Sequence, residues 1–249
     1  MLVTASLDCF DSLPLSEALG KLVDLEFTTI ELVLRESSTQ LRPSEVAANL
    51  EQAVDICRKT QRLNVISYNV EIEADGEQHY QQFQDICRLA KATKVVHVTV
   101  PSGPTVTPFN EEVERLRQLV KIAELEGVIV SMKSQIGRFS EDPDTVSVLC
   151  DNVEGLGLTL DPSPYICGPY RGKSIDALMK YVYHVHLRDA SPDAFQVRVG
   201  QGEVDYGRLI SQLRMVDYRR ALCVHISNME DIDHMAEMRK MRRLLESLL

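Results

Sequence analysis

Three groups of residues stand where apolar runs end, which is where a chain can hold a reacting molecule. The run Gly157-Leu158-Thr159-Leu160 stops at Asp161, a carboxylate that is costly to desolvate unless something pairs with it. A helix cap or a salt bridge would serve as well as chemistry. The run His184-Val185-His186-Leu187-Arg188-Asp189 follows. With the two-residue period of a strand, His184 and His186 point to one side. A strand histidine is commonly a hydrogen-bonded core residue. A histidine and an aspartate at the ends of successive strands are also a pair suited to binding a metal or moving a proton. Third comes Arg198-Val199-Gly200-Gln201-Gly202-Glu203-Val204-Asp205-Tyr206. Gly200 and Gly202 just ahead of a helix would let backbone amides approach an anion, with Arg188 and Arg198 beside them for a phosphate or carboxylate. The plainer use is a tight turn with Asp205 as helix cap.

The elements that position these groups are repetitive. Strand-like runs fall at Leu2–Ser6, Thr28–Leu34, Asn64–Val70, Lys94–Val100, Val128–Met132, Gly157–Leu160, Tyr183–Leu187 and Ala221–Ile226. Helical patterns lie between and after them: Leu15–Leu25, Pro43–Arg62, Tyr80–Ala92, Glu111–Glu126, Pro143–Val153, Ile175–Lys180, Tyr206–Met215 and Ile232–Leu249. Eight strands alternating with eight helices, with no Gly/Pro/Ser-rich linker, predict a single-domain (β/α)8 TIM barrel over residues 1–249. A doubly wound sheet fits less well, since no GxGxxG follows the first strand. In a TIM barrel, chemistry lies at the C-terminal ends of the strands. That places Asp8, Glu31, Asn69, Lys133, Asp161, His186, Arg188 and His225 on or near one face.

Charge and cysteine usage narrow the class. Lys and Arg number 27 against 37 Asp and Glu, a net charge of −10, the wrong sign for a phosphate-backbone footprint, so no nucleic-acid partner is expected. The six cysteines contain no CxxC pair, which argues against a zinc ribbon or a dithiol redox motif and suits reduced thiols in the cytoplasm. No apolar run is long enough to span a membrane, and the basic stretch near Lys240 is diluted by acids and reads as the last packed helix. A homodimer through its Met and Leu residues is left open.

The order of Gly157–Asp161, His184–Asp189 and Gly200–Tyr206, with Ile30-Glu31-Leu32 on the second strand, resembles the xylose isomerase-like TIM barrel superfamily along essentially the whole chain. That group includes sugar isomerases, sugar and sugar-phosphate epimerases, and endonuclease IV. In its epimerase branch one divalent metal is held by a Glu after strand 5, an Asp after strand 6, a His after strand 7 and a Glu after strand 8, and the two glutamates move the proton. Carried over, Asp161 and His186 match, whereas the glutamate positions fall on Lys133 and His225. The resemblance therefore implies metal ligands Asp161, His186 and His225 for one divalent ion (Mn, Zn, Co or Mg), its absence weighted nearly as heavily. Lys133 and His225 would be the acid/base pair. Glu31, Asn69, Arg188, Arg198, Gly200 and Gly202 would hold a small sugar-like ligand.

Three readings follow from the substitutions. The first is a diverged sugar or sugar-phosphate isomerase or epimerase. The second is a catalytically degenerate barrel in which Lys133 replaces the metal and pairs with Asp161, for polyol binding or a structural role. In the third, Lys133 is a Schiff-base nucleophile, which a nearby Asp161 would oppose. The endonuclease branch is excluded by the missing ligands: Pro164, Ala194 and Gln196 stand where its histidines and aspartate belong.

Overall fold

Residues along each strand alternate between two environments, and this alternation builds the molecule. One set is apolar (Ile30, Leu32, Leu34, Val98, Val100, Val130, Met132, Leu158, Leu160, Val185, Leu187, Leu222 and Val224) and belongs to one continuous buried core. The other is polar and equally buried: Thr4, Ser6, Glu31, Ser67, Asn69, His97, Thr99, Ser131, Thr159, Asp161, His184, His186 and His225. Thr99 and Thr159 hydrogen-bond at 2.8 Å, and His186 reaches Glu31 at 3.0 Å, although neither pair sits on neighbouring strands. Such bonds cross the inside of a barrel. The apolar set therefore faces the surrounding helices, and the polar set fills the lumen.

The computed structural model describes residues 1–249. Eight parallel strands close in the order β1-β10-β7-β6-β5-β4-β3-β2: β1 (Leu2–Ser6), β2 (Thr29–Arg35), β3 (Asn64–Glu71), β4 (His97–Pro101), β5 (Ile129–Lys133), β6 (Leu156–Leu160), β7 (Val182–Leu187) and β10 (Ala221–Val224). The predicted TIM barrel is thus observed. The helices outside it are α1 (Leu15–Asp24), α2 (Pro43–Ala48), α3 (Leu50–Arg58), α4 (Gly76–Thr93), α5 (Phe109–Leu125), α6 (Pro143–Asn152), α7 (Ser163–Cys167), α8 (Tyr206–Met215) and α9 (His234–Leu248). On α5, Val113, Leu116, Val120 and Ala123 recur at helical spacing and are buried against the sheet. No helix is long and apolar enough to cross a membrane.

Four local features differ from the sequence expectation. The helix expected over Pro43–Arg62 is broken at Asn49, whose extended backbone (φ −153°) lets its side chain accept from the Gln52 amide at 3.0 Å and cap a second helix. The segment Ile175–Lys180 is instead a 3₁₀ turn over Asp176–Tyr181. The short helix α7 follows β6 directly. A small antiparallel hairpin, β8 (Asp189–Ser191) and β9 (Ala194–Val197), follows β7, and too few residues carry a pattern for either to be read in advance.

Candidate active site at the mouth of the barrel

At the C-terminal ends of the strands, alternating charges are linked in a chain. Asp161 follows β6; its amide donates to Ser134 Oγ at 3.2 Å and its Oδ1 accepts from the Ser163 amide at 2.9 Å, so entry into α7 fixes the carboxylate. Its Oδ2 takes Nε of Arg188 at 3.1 Å, with 0% of the Asp161 side chain and 5% of Arg188 exposed. Arg188 passes on to Nδ1 of His225 through one Nη and lies over the Phe195 ring, 4.6 Å from its centre. Nε2 of His225 stands 3.0 Å from Asp8 Oδ2, and the other Asp8 oxygen accepts from Arg35. Asp8 comes from the turn Leu7–Phe10, where its amide donates to Ser6 Oγ.

Burial alone would raise both carboxyl pKa values. For Asp161 burial is the largest single influence, but the adjacent Arg188 guanidinium and the hydrogen bonds from Ser163 together outweigh it and leave it below the usual range. For Asp8, the His225 imidazole beside it and the nearby cations Lys133 and Arg35 together hold it well below. His225 is pushed down by burial and by the cations Lys133 and Arg188. A neutral imidazole with Arg188 donating to Nδ1 must carry its proton on Nε2, toward Asp8. Its Nδ1 lone pair is thereby occupied, while Nε2 lies 3.0 Å from Asp8 Oδ2 but off the line of a hydrogen bond, so His225 orients Arg188 and has no free lone pair to take a proton from a ligand.

One layer deeper, Glu31 is completely buried. Ser67 Oγ donates to its Oε2 at 3.1 Å, Nε2 of His184 lies 2.9 Å from the same oxygen, and Nε2 of His186 lies 3.0 Å away. Burial works against the Glu31 carboxylate, but the two imidazoles beside it reverse the balance and keep it well below the usual range. Burial pushes His186 down to about 3. Cys223 Sγ stands 4.0 Å from Glu31 Oε1. Glu31, His184, His186 and Cys223 place four donor atoms within 4.8 Å of one another, a set that could bind a metal.

The structure distributes the expected site residues unevenly. Asp161, Arg188 and His225 meet at the mouth. They do not form an open ligand set, because the Arg188 guanidinium stands between Asp161 and His225, and His186 is turned to Glu31. A divalent ion about 4 Å from that guanidinium would be repelled by roughly 8 kcal/mol at an effective dielectric of 20. The mouth therefore does not fit the metal that the resemblance implied. The cation on Asp161 is Arg188 and not Lys133. Lys133 ends β5 half-buried, with no hydrogen bond or ion pair to its ammonium, close enough to act electrostatically on Asp8 and His225. Asn69 is buried on the inner face of β3, in register with Thr99, and its side chain makes no hydrogen bond within the protein.

Arg198 is half-exposed and lies 3.5 Å from Glu237 in the first turn of α9. The amides of Gly200 and Gly202 do cradle an anion, but it is internal: Asp189 Oδ2 accepts from them at 2.7 and 3.0 Å. A Cβ on Gly202 would lie 2.1 Å from Asp189 Oδ1 and 2.5 Å from the Ala190 carbonyl, which is why glycine stands there. Asp205 caps α8 by accepting from the Arg208 amide at 2.9 Å. Asp8 and Arg35 were the site residues hardest to anticipate; their signal is position alone, each at or just past a strand end. Phe195 had none.

The sequence matches the profile of the xylose isomerase-like TIM barrel family over residues 19–248. Comparison with curated proteins gives no match. Among solved structures the chain is similar to a D-psicose 3-epimerase from Clostridium cellulolyticum H10 solved with D-tagatose, with a TM-score of 0.77, 10% identity, and coverage of 100% of this chain and 99% of that one. It is also similar to a xylose isomerase-like TIM barrel protein from Mycobacterium smegmatis in complex with magnesium (TM-score 0.74, 16% identity, 100% and 98% covered). A third is the IOLI protein with a bound zinc atom (TM-score 0.74, 15% identity, 100% and 99% covered). At these identities the likeness to each structure is one of fold.

Proposed function

Because the chain belongs to the xylose isomerase-like TIM barrel family, we propose that it acts as a sugar isomerase- or epimerase-like protein that needs no metal at its mouth. The ligand is a small polyhydroxy carbonyl compound, free or phosphorylated, and the reaction is proton transfer at the carbon beside the carbonyl. The observation that carries this reading is the buried Arg188 guanidinium held between Asp161 and His225. A fixed cation with a free donor can stabilise the enediolate oxygens formed when that proton leaves, the task a metal performs elsewhere. Nε and one Nη of Arg188 are engaged, and Nη1 makes no hydrogen bond within the protein.

Lys133 is the proton-moving residue in this reading: it ends β5 at the mouth, and its amine makes no hydrogen bond or ion pair within the protein. It takes the proton from carbon and returns it. Asp8 and Asp161 hold His225 and Arg188 in place. Asn69 and Arg35 are available to ligand hydroxyls.

A second reading has its own observation: Arg188, His225 and Asp161 fill the mouth and are all buried. In it the barrel binds a polyol without turning it over. The test is a panel of ketoses, aldoses and their phosphates, followed by product chromatography and by thermal shift, with and without chelator. Turnover that survives chelation and is lost in Lys133→Met, with the ligand-induced shift retained, supports the first reading. A thermal shift without turnover supports the second. Neither effect with any compound overturns both.

A further inference from the structure

We propose that Glu31, His184, His186 and Cys223 form a closed zinc site in the barrel lumen, one layer beneath the mouth and independent of the proton-transfer chemistry above it. The donor set is one carboxylate, two imidazoles and one thiol, the residue types that bind zinc in four-coordinate sites. Thiol and imidazole together select borderline-soft ions over magnesium or calcium.

The barrel's own register brings these residues together. Cys223 on β10 is the direct neighbour of His186 on β7, His184 lies two residues earlier on the same face, and Glu31 reaches them across the lumen from β2. Four donors around zinc stand roughly 3.3–3.7 Å apart, given Zn–N near 2.0 Å and Zn–S near 2.3 Å. The separations from Glu31 are 2.9, 3.0 and 4.0 Å, and all four donors lie within 4.8 Å of one another, so side-chain rotations that draw the wider pairs in by about 1 Å would complete the set.

A second observation points to a ligand at this cluster. Nε2 of His184 is buried and lies 2.9 Å from Glu31 Oε2, yet it is off the line of a hydrogen bond and has no partner. His184 offers one of the four donor atoms that lie within 4.8 Å of one another. Glu31 also has no lysine or arginine among its contacts; its neighbours are Ser67, the two histidines and Cys223. A divalent ion would cancel the carboxylate and the thiolate formed when Cys223 gives its proton to solvent. All four positions would be filled by protein, so the ion would hold β2, β7 and β10 together and would have no open position for substrate. Its coordination shares only His186 with the set implied by the family resemblance, and it uses neither Asp161 nor His225.

The test is metal analysis of the full chain produced in zinc-supplemented medium, and in parallel with cobalt. About one zinc per chain is expected after desalting. The cobalt form should show the near-ultraviolet thiolate-to-metal charge-transfer band and strong visible bands of tetrahedral geometry. Cys223→Ser should remove the charge-transfer band, His184→Gln should lower metal content at least tenfold after desalting, and Asp161→Asn should change neither. A wild-type chain that folds without metal, or a cobalt spectrum without the sulfur band, overturns the proposal with no variant needed. Metal lost in Asp161→Asn but kept in Cys223→Ser overturns it too, and moves the ion to the mouth.

Discussion

The Asp161–Arg188 pair can be weighed quantitatively. Their Oδ2–Nε separation is 3.1 Å, and the two side chains are 0% and 5% exposed. At an effective dielectric of 20 and a charge separation near 4 Å, the gross attraction is about 4 kcal/mol. Removing either partner alone strands the other as a buried charge, which costs about 3–5 kcal/mol. Asp161→Asn and Arg188→Met should each therefore lower the free energy of unfolding by that amount. The double variant removes both charges at once. Its loss should fall short of the sum of the singles by about 2–4 kcal/mol, the coupling expected of neighbours in one network. Arg188→Met should be the costlier single, since it also releases His225 and the stack on Phe195. The assay is urea unfolding at neutral pH for the four members of the cycle. Additivity within about 0.5 kcal/mol would refute the claim that Asp161 holds the guanidinium in the mouth.

Other consequences follow from the same geometry. Gly202→Ala should cost about 3 kcal/mol in urea unfolding, because a Cβ there must displace Asp189 or the Ala190 carbonyl; an unchanged midpoint would show that the loop adapts freely. Arg198→Ala should leave stability within about 0.5 kcal/mol and ligand response unchanged, as the residue is half-exposed and faces α9; a weakened thermal shift with a phosphorylated ligand would place it in the site after all. Because the folded chain holds Asp161 below its unfolded value, the unfolded state binds the extra proton as acid is added. The stability this group contributes is complete above about pH 4 and is lost as pH falls further through its folded pKa. Asp161→Asn should flatten unfolding free energy against pH in that acid range, and an unaltered slope would contradict the shift.

The barrel was legible because strand and helix periods alternate so regularly along the chain. The polar faces of the strands were the less obvious half of the pattern. The sequence put His184 and His186 on one side of a strand, but Thr159 and Ser131 read as isolated polar residues, and only closure of the sheet shows that all four share one lumen. Position after a strand was enough to select Asp161, Arg188 and Lys133. Pairing was not legible, since Arg188 could as well have turned to solvent as onto Asp161. The Gly200–Gly202 turn is the clearest case of a motif whose form was visible and whose occupant was not. Its amides face a carboxylate ten or so residues upstream, and nothing in a Gly-x-Gly spacing distinguishes an internal anion from a ligand. Likewise Cys223 is an ordinary strand cysteine until β10 is placed against β7.

The central claim, proton transfer at the mouth without a metal there, is tested most directly by deuterium wash-in. The chain is incubated in D₂O with each member of the carbohydrate panel, in the presence of chelator, and the carbon-bound protons beside the carbonyl are followed by NMR. At least one ketose or ketose phosphate should exchange that proton for deuterium, at a rate unchanged by added manganese or magnesium and abolished in Lys133→Met. Exchange that appears only when metal is added, or that persists in Lys133→Met, would contradict it.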